Sequence, residues 1–381
     1  MKQTSAMERL ALALMTALLP LATTAETLVY IGTDTGGTSQ GIYVSTLDEA
    51  SGALSTPRLA AAIGNPGFLA MHPSRPVVYS VAASRAADGR WQEEVVAFAV
   101  QQDGSLIRIN AQPAGGSGPC HIAVDASGRV LLLANYGGGN VVSYPLRDDG
   151  SLGPAASTFQ HEGAGANPQR QEKPHPHAIY PGPTQARAYV PDLGIDQVVI
   201  YRLDAASGRL ALHTPAHAAT EPGGGPRHLA FHPNGRFAYV ALELTSRVQA
   251  YRVDAATGAL QAFEAHSSLP EGASATGNTT AEILVHDNGR VLYVSNRGHD
   301  SIAVFAIDPQ TGSLRFVETT ATGGRTPRSF GLVPGGRFLM AANQNGGNVT
   351  VFSIDAQRGT LSRVGTGAQV DRPKHVRFLH R

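Results

Sequence analysis

The sequence predicts an all-β fold, a seven-bladed β-propeller with four antiparallel strands per blade. Three observations predict it. A unit of about fifty residues recurs along the chain, and each copy ends in a Gly-x-Leu turn. Glycine is abundant, with 43 residues, whereas charged residues make up only 15%, which is typical of turn-rich β proteins rather than helical bundles. The closing leucines mark seven copies, 46 to 58 residues apart: Leu54, Leu106, Leu152, Leu210, Leu260, Leu314 and Leu361.

Each copy has room for the four strands of one propeller blade. A Gly/Pro-rich lead-in precedes a short apolar strand, a Gly-Arg turn, a second strand, a polar loop and a third strand. The clearest copy is "GGGPRHLAFHPNGRFAYVALELTSRVQAYRVDAATGAL" at residues 223–260, and the next begins "TTAEILVHDNGRVLYVSNRGHDS" at residue 279. Short strands of this kind, separated by turns rich in Gly, Asn and Asp, predict hairpins stacked side by side around a ring.

The two ends of the repeat region complement each other. The first copy lacks its leading strand and begins at "TLVYIGTDTGG", and the chain ends with an additional "RPKHVRFLH". We expect the C-terminal strand to complete the N-terminal blade, which leaves no exposed sheet edge. A solenoid, the alternative repeat architecture, needs distinct polar caps at both ends. One propeller domain therefore fills residues 26–381.

The first 25 residues have the pattern of a secretory signal peptide. Lys2 and Arg9 precede an apolar run at residues 10–22, and small residues offer a cleavage site after Ala25. An N-terminal anchor helix is the alternative, but the run is too short to span a bilayer comfortably. We expect an exported protein, most simply periplasmic, with no membrane attachment after cleavage.

Net charge and cysteine content limit the classes of binding partner and the kinds of site that we expect. The net charge of the whole chain is +1, which gives no bulk attraction to nucleic acid or to an anionic membrane. The single cysteine, Cys120, excludes an intramolecular disulfide and any multi-cysteine zinc site. We expect a monomer or a weak homodimer whose stability comes from its apolar core.

Charged and polar residues recur where the first strand of a blade begins and the second ends, so they share one mouth of the central channel. Counting outward from a turn at Gly235 places Arg227 opposite Glu243, with His228 beside Arg227. The same count in the next blade pairs Glu282 with Arg297, with the charges exchanged. The other blades contribute His121 facing Asn135 or Tyr136, His177 facing Asp192, Arg328 facing Gln344, and Lys374 with His375. Burying so many charges is costly, which favours a functional site over a structural one.

Other candidate features are interpreted as structural. His72 and His232 fall in turns at the opposite face of the ring and are interpreted as structural or solvated, and the glycine clusters at 137–139 and 223–225 are assigned to turns between blades. The clusters lack the strand-to-helix context and the Lys-Ser/Thr ending of a phosphate loop. His175 and His177 could chelate a metal, but Pro176 separates them and we expect no acidic partner nearby. We expect no metal and no cofactor.

The blade sequences resemble the propeller lactonase family, which includes 6-phosphogluconolactonase and 3-carboxy-cis,cis-muconate cyclase. The resemblance covers nearly all of residues 27–381 and rests on "ANYGGGNV", "PHPHAIY", "GPRHLAFHPNGR" and "AEILVHDNGRVLYVSNRGHDSIAVF", among others. It implies metal-independent chemistry and a catalytic group of His177, Arg227, Glu243 and Arg297. One departure is "ALEL": Leu242 stands where the family implies an asparagine, so we expect the rim to lose a polar group there.

The resemblance and the rim residues together predict hydrolysis of a sugar lactone. Glu243 or His177 serves as general base towards water, and Arg227 and Arg297 stabilise the oxyanion. His121, Asp192, His228, Glu282, Arg328 and Gln344 are expected to bind substrate. An exported enzyme would meet an unphosphorylated aldonolactone such as D-glucono-1,5-lactone. The alternatives are a 6-phosphogluconolactonase, a carboxymuconate-type cyclase, and a non-catalytic propeller that binds a glycan or a protein.

Overall fold

Twenty-nine strands form seven antiparallel sheets within residues 26–85 and 88–381, the part of the chain that the computed structural model describes. The signal peptide expected at residues 1–25 lies outside the described residues. Within the described ranges, no helix is long and apolar enough to cross a membrane. The strands, in chain order, are β1 (Thr27–Thr33), β2 (Gly41–Asp48), β3 (Ala53–Leu54), β4 (Arg58–Ala62), β5 (Leu69–Met71), β6 (Val77–Arg85), β7 (Trp91–Val100), β8 (Leu106–Pro113), β9 (Pro119–Val124), β10 (Val130–Asn135), β11 (Asn140–Pro145), β12 (Ser157–Gln160), β13 (Tyr180–Pro181), β14 (Arg187–Asp192), β15 (Gln197–Asp204), β16 (Arg209–Ala219), β17 (Pro226–Phe231), β18 (Phe237–Leu242), β19 (Arg247–Val253), β20 (Leu260–Ser267), β21 (Thr279–Val285), β22 (Val291–Arg297), β23 (Ser301–Ile307), β24 (Leu314–Ala321), β25 (Pro327–Leu332), β26 (Phe338–Asn343), β27 (Asn348–Ile354), β28 (Leu361–Gln369) and β29 (Pro373–His380).

The sheets are the blades of a seven-bladed propeller, and the ring closes as expected. Six blades are built from four consecutive strands each, from β5–β8 through to β25–β28. The remaining blade has the order β29-β1-β2-β3, with β4 also paired to β2. Thr27 faces His380 and Gly32 faces His375 across the closing pair. The all-β class, the blade number and the closure of the ring are thus confirmed.

The Gly-x-Leu turns are explained by a contact that ties each blade to the next. In five blades a buried tyrosine on the second strand donates its hydroxyl to the carbonyl of the turn glycine in the following blade, at 2.8 to 2.9 Å. Each of these glycines has a φ between +71° and +82°, which disfavours any side chain there. The pairs are Tyr30–Gly104, Tyr79–Gly150, Tyr189–Gly258, Tyr239–Gly312 and Tyr293–Gly359.

The turns at the far face carry a second tie between blades. The Nε2 atom of His72 lies 3.1 Å from the carbonyl of Gly128, and that of His232 lies 2.7 Å from the carbonyl of Gly289. Since a carbonyl can only accept, each ring must be protonated at Nε2. Both histidines are buried at the face opposite the candidate site. Their structural interpretation is confirmed.

Asparagines at the end of the second strand form a third tie, and Leu242 interrupts it. The amide of Asn135 donates to the carbonyl of Ala114 in the preceding blade at 2.9 Å, and that of Asn296 donates to Ser268 in the same way. Leu242 holds the same register position, is fully buried, and packs in an apolar cluster with Leu229. The expectation that Leu242 removes a polar rim group is wrong, because the asparagine position faces the neighbouring blade rather than the channel.

Candidate active site

Single inserted residues in the innermost strands aim the site's side chains into the channel mouth. In β17, Pro226 faces Leu242 and His228 faces Ala241, so Arg227 is the unpaired residue of a β-bulge. A bulge re-aims the side chain that it inserts. The same irregularity isolates Cys120, Arg328 and Lys374 in their blades. The predicted direct opposition of Arg227 and Glu243 is therefore wrong in register, although the two side chains do meet.

Glu243 is the centre of the cluster and is surrounded by cations. Its Oε2 atom lies 3.1 Å from Nε of Arg227 and 2.9 Å from an NH2 group of Arg297. Neither Nε of Arg227 nor Oε2 of Glu243 has a hydrogen-bond partner among the described residues. Their contact is therefore an ion pair without hydrogen-bond geometry. Oε1 accepts a hydrogen bond from Arg170 at 2.9 Å. Nε2 of His177 lies 3.9 Å from Oε2, and only 4% of Glu243 is exposed.

Burial and these neighbours set the charge states. Burial alone would raise the pKa of Glu243, but the charges of Arg297 and Arg227 hold it far below its ordinary value. Burial, and then the charge of Arg227, lowers the pKa of His177 well below its ordinary value. Desolvation lowers the pKa of Arg227 to about 9, which still leaves it charged at neutral pH. The cluster thus contains an ionised carboxylate beside a neutral imidazole.

Arg170 was not identified from the sequence, and it comes from the loop at residues 161–177. This loop lies between β12 and β13, inside the longest interval between closing leucines, from Leu152 to Leu210. Buried Gln171 anchors it by donating to the carbonyl of Leu193 at 2.7 Å. The unusual length of this interval is the one signal in the sequence that points to an additional element over the mouth.

A second ring of side chains lies next to the bulge residues. Glu282 makes no ion pair with Arg297. Instead, its Oε1 atom lies 2.7 Å from Nδ1 of His228. In register Arg297 faces Thr279, and it reaches across to Glu243 in the neighbouring blade. The predicted Glu282–Arg297 pair with exchanged charges is therefore wrong. The bulge in β21 places Glu282 at the level of His228, one position beyond the Arg227 level.

Two of the other predicted site residues, His121 and Arg328, join the cluster. His121 faces Ala134 instead of Asn135 or Tyr136, and it lies in the second ring with its centroid 5.4 Å from that of His228. Arg328 lines the mouth and makes no ion pair or hydrogen bond with any described residue.

Asp192 and Gln344 do not join the site. Asp192 bridges to Pro176 rather than facing His177, and its oxygens accept hydrogen bonds from His161 and from the backbone of His175. Gln344 follows β26, its backbone bonds to Thr326, and it lines neither of the cavities described next. The expectation that Arg328 faces Gln344 is wrong, because Arg328 is itself a bulge residue.

Two adjoining cavities open at the mouth. The first, about 340 Å³, is called the Glu243 cavity and is lined by Tyr136, Arg170, His177, Glu243 and Arg297. The second, about 200 Å³, is called the His228 cavity and includes Phe68, Glu93, Arg227, His228 and Lys374. Cys120 and Arg328 line both. Together they offer a space of the size that small ligands occupy in proteins.

The histidines and glycines that were considered for metal or phosphate binding make other contacts. Among residues 26–85 and 88–381, no group of three or more His, Cys, Asp or Glu is arranged to hold a metal ion. His175 hydrogen-bonds the carbonyl of Tyr136 through Nδ1 at 2.9 Å, and its Nε2 lies 3.2 Å from Oε1 of Glu172. The expectation that no acidic partner lies nearby is therefore wrong. The amides of Gly223 and Gly225 donate to the carboxylate of Asp196, at 2.7 and 2.9 Å, so the glycine cluster already holds an anion from its own chain.

Comparisons with known proteins agree with this fold. The family described as "Lactonase, 7-bladed beta-propeller" matches residues 28–378. A 6-phosphogluconolactonase of Bacillus subtilis is 40% identical over 304 residues, which cover 79% of this chain and 83% of that protein. The solved structure of a periplasmic gluconolactonase from Pseudomonas aeruginosa is 33% identical, with a TM-score of 0.86, and the match covers 93% of this chain and 99% of that one. A putative 6-phosphogluconolactonase from Bacteroides fragilis is 30% identical, with a TM-score of 0.85, over 94% and 99% of the two chains. The chain therefore belongs to the seven-bladed β-propeller lactonase family.

Proposed function

We propose that this protein is a periplasmic lactonase that hydrolyses an aldonolactone such as D-glucono-1,5-lactone to the aldonic acid. The observation that carries the proposal is the buried Glu243 held by three arginines beside a neutral His177, at the mouth of a cavity. The family membership supports the reaction class, and the similarity to a periplasmic gluconolactonase supports the substrate and the location. The signal peptide expected at residues 1–25 supports export.

His177 is the stronger candidate for the general base. Both oxygens of Glu243 already face arginines, so neither is free to accept a proton from water. The imidazole of His177 is neutral and can accept a proton from water that attacks the lactone carbonyl. Glu243, 3.9 Å away, then stabilises the imidazolium that forms. Glu243 acts as a fixed charge in this assignment.

The arginines supply the positive field for the oxyanion. Arg297 and Arg328 both line the Glu243 cavity, and Arg328 makes no ion pair within the described ranges. A preorganised cation in a water-poor site stabilises developing negative charge more strongly than the same cation in water. Arg227 is held by Glu243 and by its own hydrogen bond to the carbonyl of Ala281, so it positions Glu243.

A phosphorylated lactone is the second candidate, and Arg328 is the observation that favours it. A partly buried guanidinium without an ion pair among the described residues, at the junction of two cavities, suits an anionic group. Lys374 lies in the same His228 cavity, although Asp34 pairs with it at 2.9 Å. The similarity to a 6-phosphogluconolactonase supports this alternative.

The test measures hydrolysis of D-glucono-1,5-lactone above its spontaneous rate. We expect wild type to exceed the background, and His177→Gln to lower kcat by about 10²- to 10⁴-fold, the usual contribution of a general base. Lys173→Ala, a change of an exposed residue in the same loop, should leave kcat unaltered. A wild type that shows no excess rate on this lactone or its 6-phosphate would refute the lactonase proposal and favour a binding propeller. A higher kcat/KM for the phosphorylated lactone would replace the primary substrate with the second candidate.

A further inference from the structure

The second ring of the channel holds a histidine–carboxylate pair that the reaction above does not use. Nδ1 of His228 lies 2.7 Å from Oε1 of Glu282, and Oε2 of Glu282 accepts a hydrogen bond from Ser329 at 3.0 Å. His228 is 1% exposed and Glu282 is 3% exposed. The contact with Glu282 fixes the imidazole and reserves Nε2 for another partner.

The position of this second nitrogen connects the pair to the site. His228 lines the cavity that bears its name, and Nε2 has no hydrogen-bond partner among the described residues. A buried polar atom without a partner costs about 1–3 kcal/mol, so a water or a substrate oxygen is expected there. The ring centroid of His228 lies 5.5 Å from that of His177. A single lactone ring is large enough to contact both imidazoles.

Lactone opening needs a second proton transfer that the Glu243 cluster does not provide. After water adds to the carbonyl, the bond from that carbon to the ring oxygen breaks, and the oxygen departs as an alkoxide unless it is protonated. The arginines are poor donors of that proton because a guanidinium group holds its protons far more tightly than a carboxyl group does. We propose that His228, supported by Glu282, is the general acid that protonates the ring oxygen; this inference rests on the lactonase function proposed above.

The protons and electrons balance within the site. The electron pair of the breaking C–O bond moves onto the ring oxygen, which takes the proton from Nε2 of His228. Nδ1 takes the proton of the Glu282 carboxyl group, so the imidazole stays neutral and Glu282 becomes a carboxylate. His177 holds the proton removed from the attacking water, and its transfer through solvent restores the pair.

The charge state of the pair agrees with this route. Burial raises the pKa of Glu282, against the opposing charges of Arg377 and Arg227. Burial, and then the charge of Arg227, lowers the pKa of His228 well below its ordinary value. Both directions favour a neutral imidazole facing a protonated carboxyl across the 2.7 Å contact, which is the form that can donate.

The test follows isotope exchange as well as hydrolysis, because loss of the acid slows ring opening but not the addition of water. In H₂¹⁸O we expect His228→Gln to lower kcat for D-glucono-1,5-lactone by about 10²- to 10⁴-fold, with little change in KM. The tetrahedral intermediate then reverts more often, so the ratio of ¹⁸O exchange into recovered lactone to hydrolysis rises severalfold. Glu282→Gln should raise the same ratio, and it provides a second variant if the first fails to fold.

The matched control is His232→Gln, which changes a buried imidazole at the opposite face of the ring. Nε2 of His232 donates to the carbonyl of Gly289 at 2.7 Å and lies far from the channel mouth. We expect its exchange ratio to equal that of wild type. An unchanged ratio in His228→Gln and Glu282→Gln would overturn the general-acid assignment, even if both variants were slow. A wild type inactive on every lactone would instead refute the proposed function.

Discussion

At the scale of single residues, Glu243 shows how neighbouring opposite charges offset the cost of burying a carboxylate. A carboxylate that is 4% exposed would be costly alone, but three arginines compensate it. Removing the carboxylate leaves those arginines facing one another without an anion. The same contacts that make Glu243 a weak base therefore make it a stabilising residue of the folded state.

This predicts a stability difference that depends on pH. Replacing Glu243 with Gln should cost about 3–5 kcal/mol in the free energy of unfolding at pH 7, because it leaves buried cations unpaired. Since the folded-state pKa of Glu243 is lowered, its stabilisation is complete above its ordinary pKa of 4.5 and is lost as pH falls below that value towards the folded pKa. Denaturant unfolding of both proteins should show a gap that narrows on acidification. A gap that is constant from pH 7 to pH 3 would contradict the lowered pKa.

The control for this measurement is the exposed Glu271, which makes no ion pair with any residue that the structure describes. Glu271→Gln should change the free energy of unfolding by less than about 0.5 kcal/mol, as is usual for surface substitutions. A loss as large as that of Glu243→Gln would attribute the effect to net charge rather than to the arginine cluster.

The sequence identified most of the residues that converge at the mouth, but their pairing could not be counted from it. Strand counting assumes an unbroken ladder, whereas a β-bulge inserts one residue without altering the apolar pattern. The bulges displaced Arg227 and Glu282 by one position from their expected partners. Arg170 was missed because a loop residue carries no periodicity. Asp192 was misplaced because a strand end can face the neighbouring loop instead of the channel.

At the scale of elements, the tyrosine–glycine ties explain why the blades repeat with so little change. Each tie joins a strand of one blade to a turn of the next, and the five glycines all have positive φ. Two blades lack the tyrosine and have Leu132 or Met340 at the corresponding strand position. The ties are therefore separate contributions to stability, which the ring can lose singly.

Separate contributions predict that the losses of stability caused by removing two ties add together. Tyr79→Phe and Tyr239→Phe should each lower the free energy of unfolding by about 1 kcal/mol, because each leaves a glycine carbonyl without its donor. The two tyrosines lie in different blades and share no partner, so the double variant should equal the sum within about 0.5 kcal/mol. Denaturant unfolding of the four proteins checks this. A double variant well outside that range would show that the ties act cooperatively around the ring.

At the scale of the whole molecule, the sequence was sufficient to predict the architecture because the repeat itself encodes it. Seven spaced leucines predict seven blades, and the missing first strand together with the additional last one predicts how they close. The closing strand also supplies Lys374 to the His228 cavity and His375 to the second ring. The pairing of β29 with β1 thus closes the ring and completes the site at the same time.

The last prediction separates the presence of this strand from its position in the chain. Deleting residues 372–381 should abolish soluble protein or lactonase activity, because β1 loses its partner and becomes an exposed edge. A circular permutant that places the same residues ahead of Glu26 should restore both. Glu26 and Arg381 are already joined by two backbone hydrogen bonds, so a two-residue Asn-Gly turn can link them as a hairpin. Solubility, unfolding and kcat of the three proteins decide the outcome. A permutant as impaired as the deletion would show that closure needs the C-terminal strand to arrive last in the chain.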